Sequence, residues 1–338
     1  MTVTVRQREN GLKHSALALA FCGIASGAHG APEWSEAAPL PAPVQEIYAA
    51  PSGDTIYTLG GFARGGVPTD QAYAYNAATD TWRTLPPLPA PRHHVGVAVV
   101  SGAIYAIGGF SGTPPEWRAV SEVHVFDIAT GARRDAPSLP VPRAEHVTAV
   151  VDGRIFVIGG RVPSGPDARR FGGHRDSARV DIFDPATGRW TQGADTPTPR
   201  NSAAGAVIDG RIYVVGGRRF LPNETARIRN LATLEIYDPA RDMWEAGPDM
   251  PAAQGGLSAA ALNGQLYAFG GEAFSPDPKV FPESWVFDPV SGAWTALPDM
   301  PSPRHGTAAA AINGAIYVIG GAKAAGFGAV ATVERLKP

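Results

Sequence analysis

Four proline-arginine pairs recur along the chain, and residues that could transfer protons or bind a ligand follow each arginine. His94, Glu145 and His146 carry the imidazole and carboxylate groups that general acid–base catalysis uses most often. A neighbouring arginine could hold an acidic substrate through paired hydrogen bonds. The alternative is that these arginines hold turns and the histidines are ordinary surface groups. The candidate ligand-binding residues of the four segments are Arg92, His93, His94, Arg143, Arg200, Ser202, Arg304 and His305.

Two other segments are rich in arginine, and both follow a pair of glycines. Because the guanidinium fork suits carboxylates, sulfates and phosphates, these segments predict a site for an anionic ligand. The alternative is a solvated, arginine-rich loop. Trp117 is a candidate exposed anchor for a sugar or a protein partner. The arginines of the two segments are Arg161, Arg169 and Arg170 in the first and Arg218 and Arg219 in the second.

The elements that position these residues follow from a repeated glycine pair. Six Gly-Gly pairs lie 48 to 57 residues apart, and each ends a short apolar run. A period of about 50 residues is typical of a propeller, with one blade per repeat. The first glycines of the pairs are Gly60, Gly108, Gly159, Gly216, Gly270 and Gly320.

Each repeat predicts four strands, here called a to d. Turns such as Asp152-Gly153 and Asn263-Gly264 join strands a and b, because such pairs favour positive φ at both central positions of a hairpin. A variable loop then leads to strand c, and strand d opens with a tryptophan in most repeats. Two repeats depart from the pattern: Arg133 replaces the tryptophan in blade 2, and Gln254 replaces the arginine after proline in blade 5.

The double glycine, the later aromatic-Asp-Pro run and the following tryptophan resemble the kelch-repeat family over roughly residues 34–338. The resemblance implies an all-β, six-bladed kelch propeller with four strands per blade. It also implies that the residue two places after the repeated arginine points into the mouth of the channel. That offset selects His94, Glu145, Ser202, Gly256 and Gly306.

The two ends of the chain are expected to close the ring in one blade. Trp34 and the residues after it match a strand d without a preceding a, b or c, whereas the C-terminal repeat stops after strand c. Residues 31–42 should therefore complete blade 6, which removes an open sheet edge.

The first thirty residues indicate a signal peptide. Basic residues precede a short apolar run and a tail of small residues, and the run is too short to span a bilayer. We therefore expect a periplasmic or secreted protein with one propeller over residues 31–338, no membrane insertion and a monomeric state. The net charge of −2 gives no electrostatic case for nucleic acid.

The sequence predicts no cofactor and no metal site. The kelch relatives that oxidise substrates with a copper radical need a cysteine-tyrosine cross-link, and the single cysteine, Cys22, lies within the predicted leader. The histidines come from different repeats without metal-ligand spacing.

Two functions follow as hypotheses. The first is a binding module for an anionic glycan or a protein partner, acting through the face that carries the b–c loops. The alternative is a cofactor-free mutarotase or epimerase of an acidic sugar, because exported six-bladed kelch proteins of bacteria include sialic-acid mutarotases. Glu145, His94 and His146 are its candidate catalytic residues.

Overall fold

The computed structural model describes residues 1, 2, 4, 31–221 and 228–338. Apart from residues 1, 2 and 4, the predicted leader lies outside the described residues. Six four-stranded antiparallel sheets account for nearly all of the regular structure, and they confirm the predicted six-bladed propeller. Among the described residues, no helix is long and apolar enough to cross a membrane.

Strands a and b form the inner half of every blade and are joined by tight turns. At Asn263 and Gly264 the φ angles are 53° and 75°, as the Asn-Gly turn requires. Strands a, in blade order, are Tyr48–Ser52, Gly96–Val100, Val147–Val151, Ala204–Ile208, Ser258–Leu262 and Ala308–Ile312. Strands b are Thr55–Leu59, Ala103–Ile107, Arg154–Ile158, Arg211–Val215, Gln265–Phe269 and Ala315–Ile319.

Strands c and d form the outer half of each blade. Strands c are Ala72–Asn76, Val123–Asp127, Val180–Asp184, Leu234–Asp238, Ser284–Asp288 and Val333–Lys337. Strands d of blades 1 to 5 are Thr81–Thr84, Arg133–Ala136, Arg189–Gly193, Met243–Ala246 and Ala293–Ala296. The strand d of blade 6 is Glu33–Ala37, which pairs antiparallel with Val333–Lys337 and places Trp34 opposite Leu336. The predicted closure is therefore confirmed.

The b–c loops of blades 1 to 5 form short two-stranded arms on one face of the ring. Two of them also contain a single 3₁₀ turn, Arg64–Gly66 and Phe171–Gly173. The paired segments are Phe62–Ala63 with Val67–Pro68, Phe110–Ser111 with Arg118–Ala119, Arg161–Pro163 with His174–Asp176, Arg218–Phe220 with Ile228–Asn230, and Glu272–Ala273 with Lys279–Val280.

The core lies between neighbouring blades, where bulky residues of strands b and c pack face to face. Tyr75 of blade 1, for example, packs 5.3 Å from Tyr317 of blade 6. Small strand a residues line the central channel, because six strands converge on the axis there. They include Ala49, Val97, Thr148, Gly205, Ala259 and Ala309.

Candidate functional site

Six backbone positions with positive φ surround one mouth of the channel, one in each blade just before strand a. We call them the collar positions. Four of them hold residues other than glycine, and such left-handed backbone costs about 1–3 kcal/mol at each position and is concentrated at functional sites. The collar positions, with their φ angles, are Glu46 (51°), His94 (54°), Glu145 (56°), Ser202 (47°), Gly256 (68°) and Gly306 (58°).

Backbone hydrogen bonds join neighbouring collar positions around the mouth. The amide of Gly256 donates to the carbonyl of Ser202 at 2.9 Å, and the amide of Gly306 donates to the carbonyl of Gly256 at 2.8 Å. Ser202 is bonded in the same way to Glu145 at 3.1 Å. These hydrogen bonds hold neighbouring collar positions together at the mouth.

A second repeated position places six more residues above the collar. The residue after each Gly-Gly pair forms a β-bridge with the residue that precedes the collar position. These bridged pairs are Phe62 with Gln45, Phe110 with His93, Arg161 with Ala144, Arg218 with Asn201, Glu272 with Gly255, and Ala322 with His305. Each blade therefore has a second repeated position that is tied by its backbone to the residue before the collar position.

An alternating series of carboxylates and bases, which we call the array, crosses the floor of this mouth. His94 lies between Glu145 and Glu46, and His305 directs one ring nitrogen at Glu46 and the other at Glu272. Opposite charges so close together stabilise one another where water is scarce. In order, the distances are Glu145 Oε1 to His94 Nε2 3.8 Å, His94 Nε2 to Glu46 Oε2 3.0 Å, Glu46 Oε1 to His305 Nδ1 3.3 Å, His305 Nε2 to Glu272 Oε2 3.3 Å, and Glu272 Oε1 to Arg218 Nη2 3.1 Å.

The pKa values of these groups follow from this arrangement. Burial disfavours the charged form of His94 and of His305, but the Glu46 carboxylate outweighs it and raises the pKa of both imidazoles. Burial likewise opposes the charge on Glu46, yet the two histidines hold its pKa well below the usual value. Glu46 is therefore the centre of the array, with an imidazole on either side.

Replacing Glu46 with glutamine should change stability in a pH-dependent way. Histidines with raised pKa stabilise the fold fully below their unfolded value of about 6.5 and lose this effect as pH rises through the raised pKa. Glu46 contributes above its unfolded value of about 4.3 and loses the effect as pH falls through its lowered pKa. Urea unfolding should show the largest loss for Glu46→Gln near pH 5.5 and a smaller one at pH 9. An equal loss at both pH values would contradict the array, and the exposed Glu116→Gln serves as the control.

A pocket of about 290 Å³ lies over this floor and is walled by aromatic rings. Glu46, His94, Glu145, Arg218 and Glu272 are part of its floor. The rings come from four different loops and from the loop before the last strand: Phe62, Trp117, Phe171, Phe274 and Phe327. The combination of apolar walls with a few convergent polar groups is typical of a small-molecule site.

Polar atoms inside the pocket lack partners among the described residues. Glu145 is buried, yet its Oε2 atom accepts no hydrogen bond, and Trp117 Nε1 and Arg218 Nε donate none. An unpaired buried polar atom costs about 1–3 kcal/mol. One acceptor and two donors of the residues that line the pocket are thus without a hydrogen-bond partner among the described residues.

Two glycines of the collar make room for the charged floor. A Cβ atom at Gly306 would lie 2.7 Å from the Glu46 carboxylate, and one at Gly256 would lie 2.5 Å from the Arg218 guanidinium. Both sites therefore need a residue without a side chain. The offset rule selected these glycines together with His94, Glu145 and Ser202, and the last three line the pocket directly.

The four repeated arginines are not at the pocket, although the sequence suggests them as ligand-binding residues. All four are buried in the blades and donate to a backbone carbonyl near or just after the end of strand b. Arg92, Arg143 and Arg200 also donate to a carbonyl just before strand c. Each arginine in addition contacts the second residue of strand c. The partners at that strand c position are His124 for Arg92, Asp181 for Arg143, Glu235 for Arg200 and Glu334 for Arg304. A carboxylate at that position balances the charge of Arg143, Arg200 and Arg304, whereas Arg92 has the Glu122 carboxylate 3.5 Å away. We assign all four arginines a structural role.

The exception in blade 5 follows the same rule. Gln254 takes the place of the arginine, and its side-chain oxygen accepts a hydrogen bond at 3.1 Å from the Trp285 indole, at the second residue of strand c. The sequence signal for these structural arginines is an acid or a histidine at the second residue of strand c. In blade 5 that residue and the arginine are both replaced.

The other predicted residues are divided between the pocket and its surroundings. His93 stacks on Phe62 at 3.9 Å behind the pocket wall, and Arg161 lies buried 3.8 Å from the centre of the Phe171 ring. His146 is buried, and its pKa falls to about 3 because burial and Arg143 disfavour its charge. None of these three lines the pocket, and neither do the exposed Arg169 and Arg170 or the half-buried Arg219.

Sequence reasoning missed the two carboxylates that anchor the array. Glu46 occupies the collar position of blade 1, where Val44 replaces the repeated arginine and hides the offset. Glu272 directly follows the glycine pair of blade 5, as Arg218 does in blade 4. Aligning the residues next to each glycine pair would have found Glu272.

Three of these side chains offer a possible cation site. The ligand atoms of Glu46, Glu272 and His305 lie within 4.8 Å of one another. The Arg218 guanidinium, 3.1 Å from Glu272, opposes a second cation there. We therefore interpret the three residues as part of the array and not as metal ligands.

Comparison with known proteins decides the family. The model of the KLHDC2/KLHL20/DRC7 Kelch-repeats domain matches residues 171–332, and the Kelch motif matches residues 49–89, 91–140 and 142–197. The chain belongs to the kelch-repeat family. Kelch propellers generally serve as protein-interaction modules.

Several kelch proteins are similar over part of their length. Kelch-like protein terF of Aspergillus terreus is 32% identical over 136 residues, which are 40% of this chain and 28% of that protein. Kelch domain-containing protein 8B of Rattus norvegicus is 32% identical over 164 residues, 48% of this chain and 44% of that one. The matches thus span less than half of each of these relatives.

A solved structure shares the propeller over nearly its whole length. The structure of YjhT superposes with a TM-score of 0.73 at 19% identity, covering 87% of this chain and 95% of that chain. At this identity the likeness supports the fold of the propeller alone.

Proposed function

We propose that the aromatic-walled pocket of this kelch propeller binds one sugar unit. The observation that carries the proposal is the buried, unpaired Oε2 of Glu145 beneath a ring of aromatic side chains. Aromatic faces pack well against the C–H faces of a sugar, and free acceptors and donors suit its hydroxyl groups. Trp117 Nε1 and Arg218 Nε are unpaired donors of two other residues that line the same pocket.

The charges of the floor favour an uncharged sugar over the acidic one that the arginine-rich segments suggest. Three carboxylates there, Glu46, Glu145 and Glu272, are matched by Arg218 and by the two imidazoles, whose pKa values are raised. Arg218 is already paired with Glu272. A sugar carboxylate would therefore find no unpaired cation among the described residues of this floor.

Removal of a wall ring should weaken sugar binding strongly. Trp117→Ala should reduce affinity about 30-fold, because buried aromatic anchors contribute about 2 kcal/mol or more to binding. Trp117→Phe keeps a ring and should lose much less. A glycan array would identify the sugar, and isothermal titration calorimetry would measure both variants. An array without any bound glycan, or equal affinity for Trp117→Ala and the wild type, would contradict the sugar site.

A second candidate function is mutarotation, and the position of His94 between two carboxylates favours it. Mutarotation opens the C1–O5 bond of the ring while the O1 hydroxyl loses a proton and O5 gains one. Closure on the other face of C1 reverses these steps, so no proton is consumed. Glu145 and His94 lie 3.8 Å apart at the floor and could act as the acid–base pair.

This candidate is tested by following anomer exchange in a freshly dissolved sugar by NMR. Glu145→Gln and His94→Gln should each slow the exchange about a hundredfold or more, because general acid–base catalysis contributes factors of 10² to 10⁴. The control is the exposed Glu116→Gln, which should leave the rate unchanged. Binding with exchange no faster than in buffer would reject mutarotation and retain the sugar site. Export to the periplasm or medium stays a prediction.

A further inference from the structure

The tryptophans that open strand d all occupy one kind of site between two blades. In four blades the indole lies 4.9–5.1 Å from the aromatic ring of its own strand c. Each indole N–H also donates to a backbone carbonyl of the preceding blade. In that blade, the carbonyl belongs to the residue four positions after the tryptophan or arginine that opens strand d. These bonds are Trp34 to Pro298 (3.0 Å), Trp82 to Ala38 (2.7 Å), Trp190 to Pro137 (2.8 Å), Trp244 to Ala194 (2.8 Å) and Trp294 to Pro248 (2.9 Å).

Blade 2 has the same backbone but no indole, because Arg133 stands at the opening of its strand d. Arg133 is opposite Phe126, as each tryptophan is opposite the last apolar residue of its strand c. Its guanidinium donates to Pro87 at 3.1 Å, one residue beyond the carbonyl that the pattern assigns to an indole. The Pro86 carbonyl therefore lacks the indole donor that its counterparts have.

A cavity of about 280 Å³ lies where the indole of blade 2 would be. Apolar cavities of about 150 Å³ are large enough to bind benzene. The lining combines the aromatic ring of strand c with apolar residues of both blades, as in the cluster against which Trp82 packs one blade earlier. Arg83, Asp127 and Thr130 add polar groups to the lining. The main apolar lining residues are Tyr57, Leu59, Leu85, Ile104, Phe126 and Ile128.

We propose that this cavity, between blades 1 and 2, is a binding site for a free indole-type ligand. Phe126 provides the ring that an indole stacks on, and Pro86 provides the acceptor for its N–H. The five equivalent sites of the same propeller define this occupant, since each is filled by an indole of the chain itself. Arg133 does not line the cavity, so its side chain leaves the ring position open. The site is separate from the sugar pocket and does not depend on it.

The test uses ¹⁹F NMR of 5-fluoroindole titrated with the full propeller. The wild type should give a saturable shift, and 5-fluoro-N-methylindole should bind at least about threefold more weakly, because it cannot donate to Pro86. Arg133→Trp should weaken 5-fluoroindole binding at least tenfold, because its own indole fills the cavity. The neighbouring exposed Arg134→Trp adds the same ring outside the cavity and should bind like the wild type.

Melting temperatures separate this effect from misfolding. Arg133→Trp should melt at or above the wild-type temperature, since it restores the contact made in the other five blades. 5-Fluoroindole should raise the melting temperature of the wild type and leave that of Arg133→Trp unchanged. No saturable shift with the wild type, or unchanged binding by a folded Arg133→Trp, would overturn the proposal.

Discussion

A chain that starts at residue 41 should show no cooperative unfolding transition at temperatures where a chain that starts at residue 31 is still folded. The removed segment contains Glu33–Ala37, which pairs along its whole length with Val333–Lys337. It also contains the Trp34 ring, which packs 5.7 Å from Phe269, and the buried Leu40. Deleting a buried tryptophan or leucine side chain typically costs about 2–5 kcal/mol, and the total stability of a domain is only about 5–15 kcal/mol.

Differential scanning calorimetry of the two chains measures this effect. A milder variant, Trp34→Phe, keeps a ring but loses the hydrogen bond to Pro298, so it should lower the melting temperature without abolishing the transition. Equal melting of the chains that start at 31 and 41 would mean that blade 6 is stable with three strands and that closure adds nothing.

Arg200→Ala should destabilise the propeller by about 3–5 kcal/mol, because it leaves a buried carboxylate without its cation. Arg200 pairs with Glu235 inside blade 4 and also donates to the carbonyl of Thr233 at 2.8 Å. Hydroxyls of Thr196 and Thr198 hold the same carboxylate at 2.7 and 2.6 Å, so it stays fixed in the blade.

The matched control replaces both charges. Arg200→Met combined with Glu235→Leu removes the uncompensated charge, and replacing a buried ion pair by apolar residues of similar volume is often neutral. Chemical unfolding of both variants should therefore show a smaller loss for the double variant than for Arg200→Ala. If Arg200→Ala unfolded like the wild type and lost sugar binding instead, the structural role assigned to this arginine would be wrong.

The fold was predictable because its signals are local and repeated. The Asn-Gly and Asp-Gly turns, the glycine pairs and the strand d tryptophans each indicate one local structure, and they recur about every 50 residues. Even the closure followed from residues near Trp34 that match a strand d without the rest of its blade.

The site was only partly predictable, because a single repeat does not show where its side chains meet those of another blade. His94, Glu145 and Ser202 were found by their offset from the arginine. The arginines themselves were misjudged as ligands, because charge in a sequence does not reveal depth, and their partners lie some 30 to 40 residues away in strand c. Glu46 was hidden because blade 1 lacks the arginine that marks the offset.

The collar explains how one repeated frame can carry an asymmetric set of chemical groups. Its six positions have φ angles between 47° and 68°, and main-chain hydrogen bonds join four of the six neighbouring pairs, whatever side chain each position bears. Exchange of a side chain there changes the contents of the mouth while the sheets that hold it stay the same. Duplicated blades could therefore diverge in specificity one position at a time, with stability and recognition inherited as separate traits.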